Sequence, residues 1–84
     1  MSNANEVMVV ALLSLMEDRG ISQAAVARRL GRAKNYVNQR FNGTDGLTVS
    51  TDMLGAIAEL SGLTFPAFLL ELSERMAQAH RMVP

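Results

Sequence analysis

Apolar residues recur along this chain at helical rather than strand spacing, and glycines break the pattern into segments. Val9, Leu12, Leu13 and Met16 fall at i, i+3, i+4 and i+7, which predicts one face of a helix ending near Arg19 with Gly20 as its stop. Ser22 is placed to cap a second, short helix. Its Val26, Ala27 and Leu30 point inward, and Gly31 closes it in the left-handed conformation that glycine tolerates best. A third segment, Ala33 to Phe41, is mostly polar, with Val37 and Phe41 four apart as its buried edge. Asn42-Gly43 ends it, because both residues accept positive φ at low cost. Thr44 to Val49 reads as a loop that turns around Asp45-Gly46.

Ser50 caps a fourth helix, and Asp52 in its first turn suits the positive end of the helix dipole. Leu54, Ile57, Ala58 and Leu60 supply its apolar face, and Gly62 ends it. Thr64 caps a fifth helix, with Pro66 in the first turn where the missing N–H costs nothing. Phe65, Phe68, Leu69, Leu72 and Met76 form its stripe, and the pattern fades beyond about Ala79, where fraying is expected. No run alternates with period two, and no repeat or low-complexity tract is present. The pattern predicts an all-α fold of five helices. With 84 residues the chain reads as one domain over 1–84, with an ordered core over about 6–79. Ser2-Asn3-Ala4 has the look of an expression scar, so residues 1–4 carry no functional weight.

The second and third predicted helices, with a turn of about three residues opened by Gly31, have the spacing of a helix-turn-helix. Ala27 is small where two helices would cross steeply, Gly31 makes the reversal, and Val37 with Leu30 pins the third helix to the second. The third helix then keeps its other face free. The same spacing also suits a plain αα-corner of a small helical bundle.

Summed over the chain, charge opposes a nucleic-acid partner, because eight Lys+Arg balance eight Asp+Glu. The arrangement changes that picture. Arg19, Arg28, Arg29, Arg32, Lys34 and Arg40 are six of the eight bases, and residues 19–44 contain no acid. That segment carries +6, and the remainder, eight acids against Arg75 and Arg81, carries −6. Local phosphate neutralisation, not net charge, governs affinity for a polyanion. An apolar content of 49% excludes a disordered tail, and 19% charged residues fits an ordinary soluble protein.

The stretch Ile21-Ser22-Gln23-Ala24-Ala25-Val26-Ala27-Arg28-Arg29-Leu30-Gly31, then Val37, then Phe41-Asn42-Gly43, closely resembles the Cro and lambda-repressor (XRE-like) family of helix-turn-helix proteins. Leu54, Ile57-Ala58-Glu59, Gly62-Leu63-Thr64 and Phe68 look like that family's fourth and fifth helices, so the resemblance spans roughly residues 9–72. Three features depart from it. The Thr44–Val49 loop is about two residues longer than the common form, Ser61 stands where a leucine usually precedes the glycine, and Tyr36 is bulky for an early recognition-helix position. The resemblance implies a five-helix lambda-repressor-like domain whose third helix lies in the major groove. Lys34, Asn35, Tyr36, Asn38 and Gln39 would then read bases, while Gln23, Arg28, Arg32, Arg40 and Asn42 would contact phosphates. The alternative for Tyr36 is a ring packed over the first turn, and Arg28 and Arg29 can also be simple solvated cations. Side-chain chemistry agrees with the base-reading set, since lysine donates to guanine O6/N7 and asparagine or glutamine pairs with adenine N6/N7.

Other chemistry is sparse. The chain has no cysteine and one histidine, His80, in the tail, so no zinc site, disulfide or thiolate nucleophile is expected. Glu17-Asp18 and Glu71/Glu74 read as solvated faces, Ser22 and Ser50 as caps, and no glycine-rich phosphate loop occurs; no enzyme, cofactor or small-molecule substrate is implied. The longest apolar run, Val7 to Leu13, falls far short of the ~20 residues of a membrane span and lacks the basic flank of a signal peptide. A cytoplasmic location is therefore expected. Leu70 adds an apolar position beside Leu69, Leu72 and Met76, with Met82 and Val83 following. These four residues either widen the core-facing surface or form a two-fold dimer contact, which the resemblance favours. The combined expectation is a dimeric regulator of transcription that binds duplex DNA, acting as a repressor by occlusion. An antitoxin-like or adaptor protein using the same fold to bind another protein is the alternative. The chain leaves no room for a ligand-binding domain.

Overall fold

Three hydroxyl caps set where helices begin. Ser22 Oγ accepts the Ala25 N–H at 3.0 Å, Ser50 Oγ the Met53 N–H at 3.3 Å, and Thr64 Oγ1 the Ala67 N–H at 3.3 Å. Each satisfies a donor that would otherwise lack an intrahelical partner, typically worth about 1 kcal/mol. The computed structural model describes residues 4–82, with side chains through Arg81. Five α-helices follow in order: α1 (Ala4–Asp18), α2 (Gln23–Leu30), α3 (Lys34–Asn42), α4 (Thr51–Leu60) and α5 (Phe65–Met82). A short 3-10 turn at Thr44–Gly46 lies between α3 and α4, and there is no strand among the described residues. The fold is all-α.

At the end of α2, Gly31 adopts φ 67°, which lets the next amide, Arg32 N–H, turn back onto the Ala27 carbonyl at 2.9 Å. A side chain there would force a disfavoured left-handed conformation. Gly43 (φ 69°) ends α3 in the same way. Asp45 (φ 54°) is the non-glycine residue that turns the following loop, a role aspartate tolerates better than most.

Leu12, Leu15, Val26, Val37, Met53, Ile57 and Phe68 are fully buried and draw all five helices onto one core. The broadest helix–helix contact is between α1 and α5, while α2 packs on both α3 and α4. Val26, Ala27, Val37, Phe41, Ile57, Ala58, Phe68 and Leu72 are buried as the pattern predicts.

Other inward assignments are corrected. In α1 the buried face is Val7, Ala11, Leu12, Leu15 and Met16; Leu13 is 38% exposed and Val9 is only half-buried. Val7 to Leu13 is apolar throughout, so spacing alone cannot choose a face, and the contact with α5 chooses it. Leu60, Phe65 and Leu69 are exposed for a related reason. They flank the α4–α5 corner, and the packing of these helices turns Ile57, Ala58 and Phe68 inward instead. Helix α5 also does not fray after Ala79. It continues to Met82, and Ala79 is buried, its small side chain allowing close approach to the core. The Met82 side chain and Val83 lie outside the described residues, as do residues 1–3 of the N-terminal scar reading; Ala4 opens α1.

A charged cluster joins α1 to α5. Arg75 Nη1 donates to Asp18 Oδ2 at 2.7 Å and Ser14 Oγ at 3.0 Å, and its Nε donates to Glu71 Oε2 at 3.3 Å. Glu71 also accepts from Arg19 Nη2 at 2.5 Å. The hydrogen bond from Arg19 holds the Glu71 carboxyl below its ordinary value; partial desolvation opposes this, and the charges of Arg19 and Arg75 add to it. Hydrogen bonding to Asp18 correspondingly raises Arg75 against its own desolvation.

Candidate nucleic-acid interface

Only three residues, Gly31 to Ala33, separate α2 from α3, so the two helices must pack against each other. Val37 and Phe41 turn one side of α3 into the core. At roughly 100° per residue, Lys34, Asn38, Asn42, Asn35 and Gln39 occupy a continuous arc of about 140°, while Tyr36, Arg40, Val37 and Phe41 occupy the other side. Lys34, Asn35 and Asn42 are exposed, and Asn38 and Gln39 are half-buried. Four of the five expected base readers thus share one outward arc with Asn42.

Tyr36 does not join them. Its ring is half-buried against the core, and the guanidinium carbons of Arg32 and Arg40 lie 4.9 and 4.6 Å from its centroid. The sequence places these arginines four residues before and after the ring, so one aromatic side chain organises both cations. Tyr36 thus lies outside the outward arc, its ring packed against the core and two arginine side chains. Arg40 is further fixed by donating from Nη1 to the Thr48 carbonyl at 2.9 Å, while its Nε is buried with no partner among the described residues. Thr48 was not singled out by sequence; a backbone acceptor in a loop leaves no residue-type signal.

Gln23, at the first position of α2, meets α3 through side chains. Asn38 Nδ2 donates to Gln23 Oε1 at 3.3 Å, and Asn42 Nδ2 donates to Asn38 Oδ1 at 3.0 Å. Three amides thus form a ladder across the start of α2 and the outward arc of α3. The Asn38–Asn42 spacing of four residues hints at one rung. The Gln23 rung depends on tertiary packing.

The basic segment is less charged in effect than in sum. Arg19 pairs with Glu71 at 2.5 Å, and Arg29 pairs with Glu59 across the α2–α4 contact. Both pairs tie the segment to acids outside it. Among the described residues Arg28, Arg32, Lys34 and Arg40 make no ion pair, and Arg28, Arg32 and Lys34 are exposed.

The expected dimer contacts also divide. Leu70 is 64% exposed and Leu69 is exposed, but Leu72 is 4% exposed and Met76 packs against the core. Leu72 is corrected from a surface contact to a core residue, because it projects on the same side of α5 as Phe68, one turn earlier. His80 is exposed, and no three His, Asp or Glu side chains gather at metal-binding geometry among the described residues. No single described helix is long and apolar enough to cross a membrane.

Comparison of the chain with protein-family models, with curated proteins and with solved structures brings no match in any of the three.

Proposed function

We propose that this chain is a regulator of transcription that binds specific duplex DNA sequences, with α2 and α3 acting as a lambda-repressor-like helix-turn-helix. The observation that carries the reading is the outward arc of α3. Lys34, Asn35, Asn38 and Gln39 are presented together, no acid lies within residues 19–44, and four cations of that segment have no ion-pair partner among the described residues. A helix seated in the major groove needs donors and acceptors on one face and cations at its margins. Lys34 suits guanine O6/N7 and the amides suit adenine N6/N7. Arg28, Arg32 and Arg40 approach the flanking phosphates, and Tyr36 holds the latter two in place. Exposed Leu69 and Leu70 provide the two-fold contact of a dimer that sets two α3 helices about 34 Å apart on a pseudo-palindrome. Occlusion of a promoter then gives repression in the cytoplasm.

Three phosphate-facing cations, Arg28, Arg32 and Arg40, imply a salt slope of about −2.7 per protomer, or roughly a fortyfold loss of affinity between ~50 and ~200 mM salt. Selection from a random duplex library, followed by salt titration of the enriched site, tests this. Failure to enrich any sequence at low salt would refute it. The exposure of Phe65, Leu69 and Leu70 favours one second reading, a module that binds another protein through α5. Such binding would be nearly independent of salt.

A further inference from the structure

The amide ladder limits what Asn38 can offer a base. A primary amide has two N–H donors and two oxygen lone pairs. Asn38 uses one N–H on Gln23 Oε1 at 3.3 Å and one lone pair on the Asn42 N–H at 3.0 Å. One donor and one acceptor remain. If the ladder ran in the opposite sense, from Gln23 through Asn38 to Asn42, the same remainder would result, so the conclusion does not depend on the ladder's direction.

We infer that Gln23 and Asn42 are positioning residues that make Asn38 selective for adenine over guanine; the inference rests on the DNA-reading function proposed above. Adenine presents an N7 acceptor beside an N6 donor in the major groove, which the remaining donor and acceptor of Asn38 match as a pair. Guanine presents two acceptors, N7 and O6. An unrestrained asparagine can turn both N–H groups toward them, but a laddered one has a single N–H to give and sets its oxygen against O6. Half-burial of Asn38 between the start of α2 and the following turn of α3 adds to the restraint, because few rotamers keep both hydrogen bonds. This differs from the role the family resemblance gives Gln23 and Asn42, that of phosphate contacts, which hold a protein in register without distinguishing bases.

The experiment uses the full chain and its library-selected duplex, and a copy in which adenine at the Asn38-dependent position is replaced by guanine. That position is the one where Asn38→Ala flattens preference. The wild-type protein is expected to favour adenine by about 5- to 100-fold, the range of a good bidentate contact. Gln23→Ala and Asn42→Ala should each reduce that ratio several-fold toward the Asn38→Ala value, with preferences elsewhere in the site unchanged. Asn42→Leu, which is close in shape but can neither donate to Asn38 nor accept from it, should do the same, and all variants are checked for native helicity by circular dichroism. Loss of affinity shared equally by both duplexes, with an unchanged ratio, would overturn the inference while leaving DNA reading intact. A wild-type preference for guanine at that position would also overturn it. Failure to enrich any sequence would remove both readings together.

Discussion

Replacing Tyr36 with alanine separates a positioning role for the ring from base reading. The ring lies within 4.9 Å of the Arg32 guanidinium and 4.6 Å of that of Arg40, and is half-buried against the core. Two such cation–ring contacts at a partly exposed site are worth about 0.5–1 kcal/mol each. Uncovering the core-facing half of the ring removes roughly half of the ~1.5–3 kcal/mol of a fully buried large side chain. Together Tyr36→Ala should cost about 2–3 kcal/mol, against a total stability of about 4–13 kcal/mol for a domain of this length. The variant should stay folded, with a melting temperature lower by about 10–20 °C in a thermal scan followed by circular dichroism. Arg32 and Arg40 keep their charge but lose the ring that orders them, and Arg40 is left with its bond to the Thr48 carbonyl alone. Ordering each again on DNA costs about 0.5–1.5 kcal/mol, so affinity should fall by about 5- to 100-fold for all duplexes alike, at an unchanged salt slope. Tyr36→Phe should lose little of either quantity. A Tyr36→Ala protein that melts within 2–3 °C of wild type, yet changes preference at a single base pair, would show that the ring reads a base and that this reasoning is wrong.

Acid should weaken the α1–α5 contact through Glu71. Its folded-state pKa lies below the ordinary value, so its contribution is complete above the unfolded pKa and is lost as pH falls through the lower folded value. Urea midpoints measured from pH 6 to pH 3 should therefore fall toward acid, with a shallower slope in Glu71→Gln. A wild-type slope no steeper than the variant's would contradict the assignment. Arg28→Ala should flatten the salt slope of DNA binding by about 0.9, whereas Arg29→Ala should change it less because Arg29 already faces Glu59. Equal effects of the two substitutions would mean that the Arg29–Glu59 pair opens on DNA. Leu70→Ser, at a position 64% exposed, should leave protomer stability within about 0.5 kcal/mol while shifting sedimentation toward a monomer. A loss of several kcal/mol in stability would place Leu70 in a core that this structure does not show.

What could be read from sequence was mainly local. Ser22, Ser50 and Thr64 cap helices, and Gly31 and Gly43 close them, because a hydroxyl or a missing Cβ acts on its own backbone within a few residues. The buried side of α3 was also legible, since Val37 and Phe41 are its sole aliphatic and phenyl side chains. The face of α1 was not, because a helix apolar over most of its circumference takes its orientation from its partner. Within the candidate interface, the outward placement of Lys34, Asn35 and Asn38 followed from helical spacing. The ladder and the Arg32–Tyr36–Arg40 stack depend on rotamers and on approach between helices, which residue spacing alone does not specify. Charge segregation was real in sequence, but Arg19 and Arg29 reach acids on α5 and α4 that are distant along the chain.

The α1–α5 contact also fixes the order in which the molecule can be assembled. Its tethers, Arg19 to Glu71 and Ser14 to Arg75, link residues 52 and 61 positions apart. At roughly 5–20 residues per second of synthesis, α1 waits several seconds for α5 to emerge, with Leu12 and Leu15 lacking the helix that covers them. The α2–α3 hairpin needs only neighbouring residues and closes at far smaller loop entropy. Until α5 has been made, the α1 residues Leu12 and Leu15 therefore lack their partner, whereas the contacts that join α2 to α3 are all local in the chain.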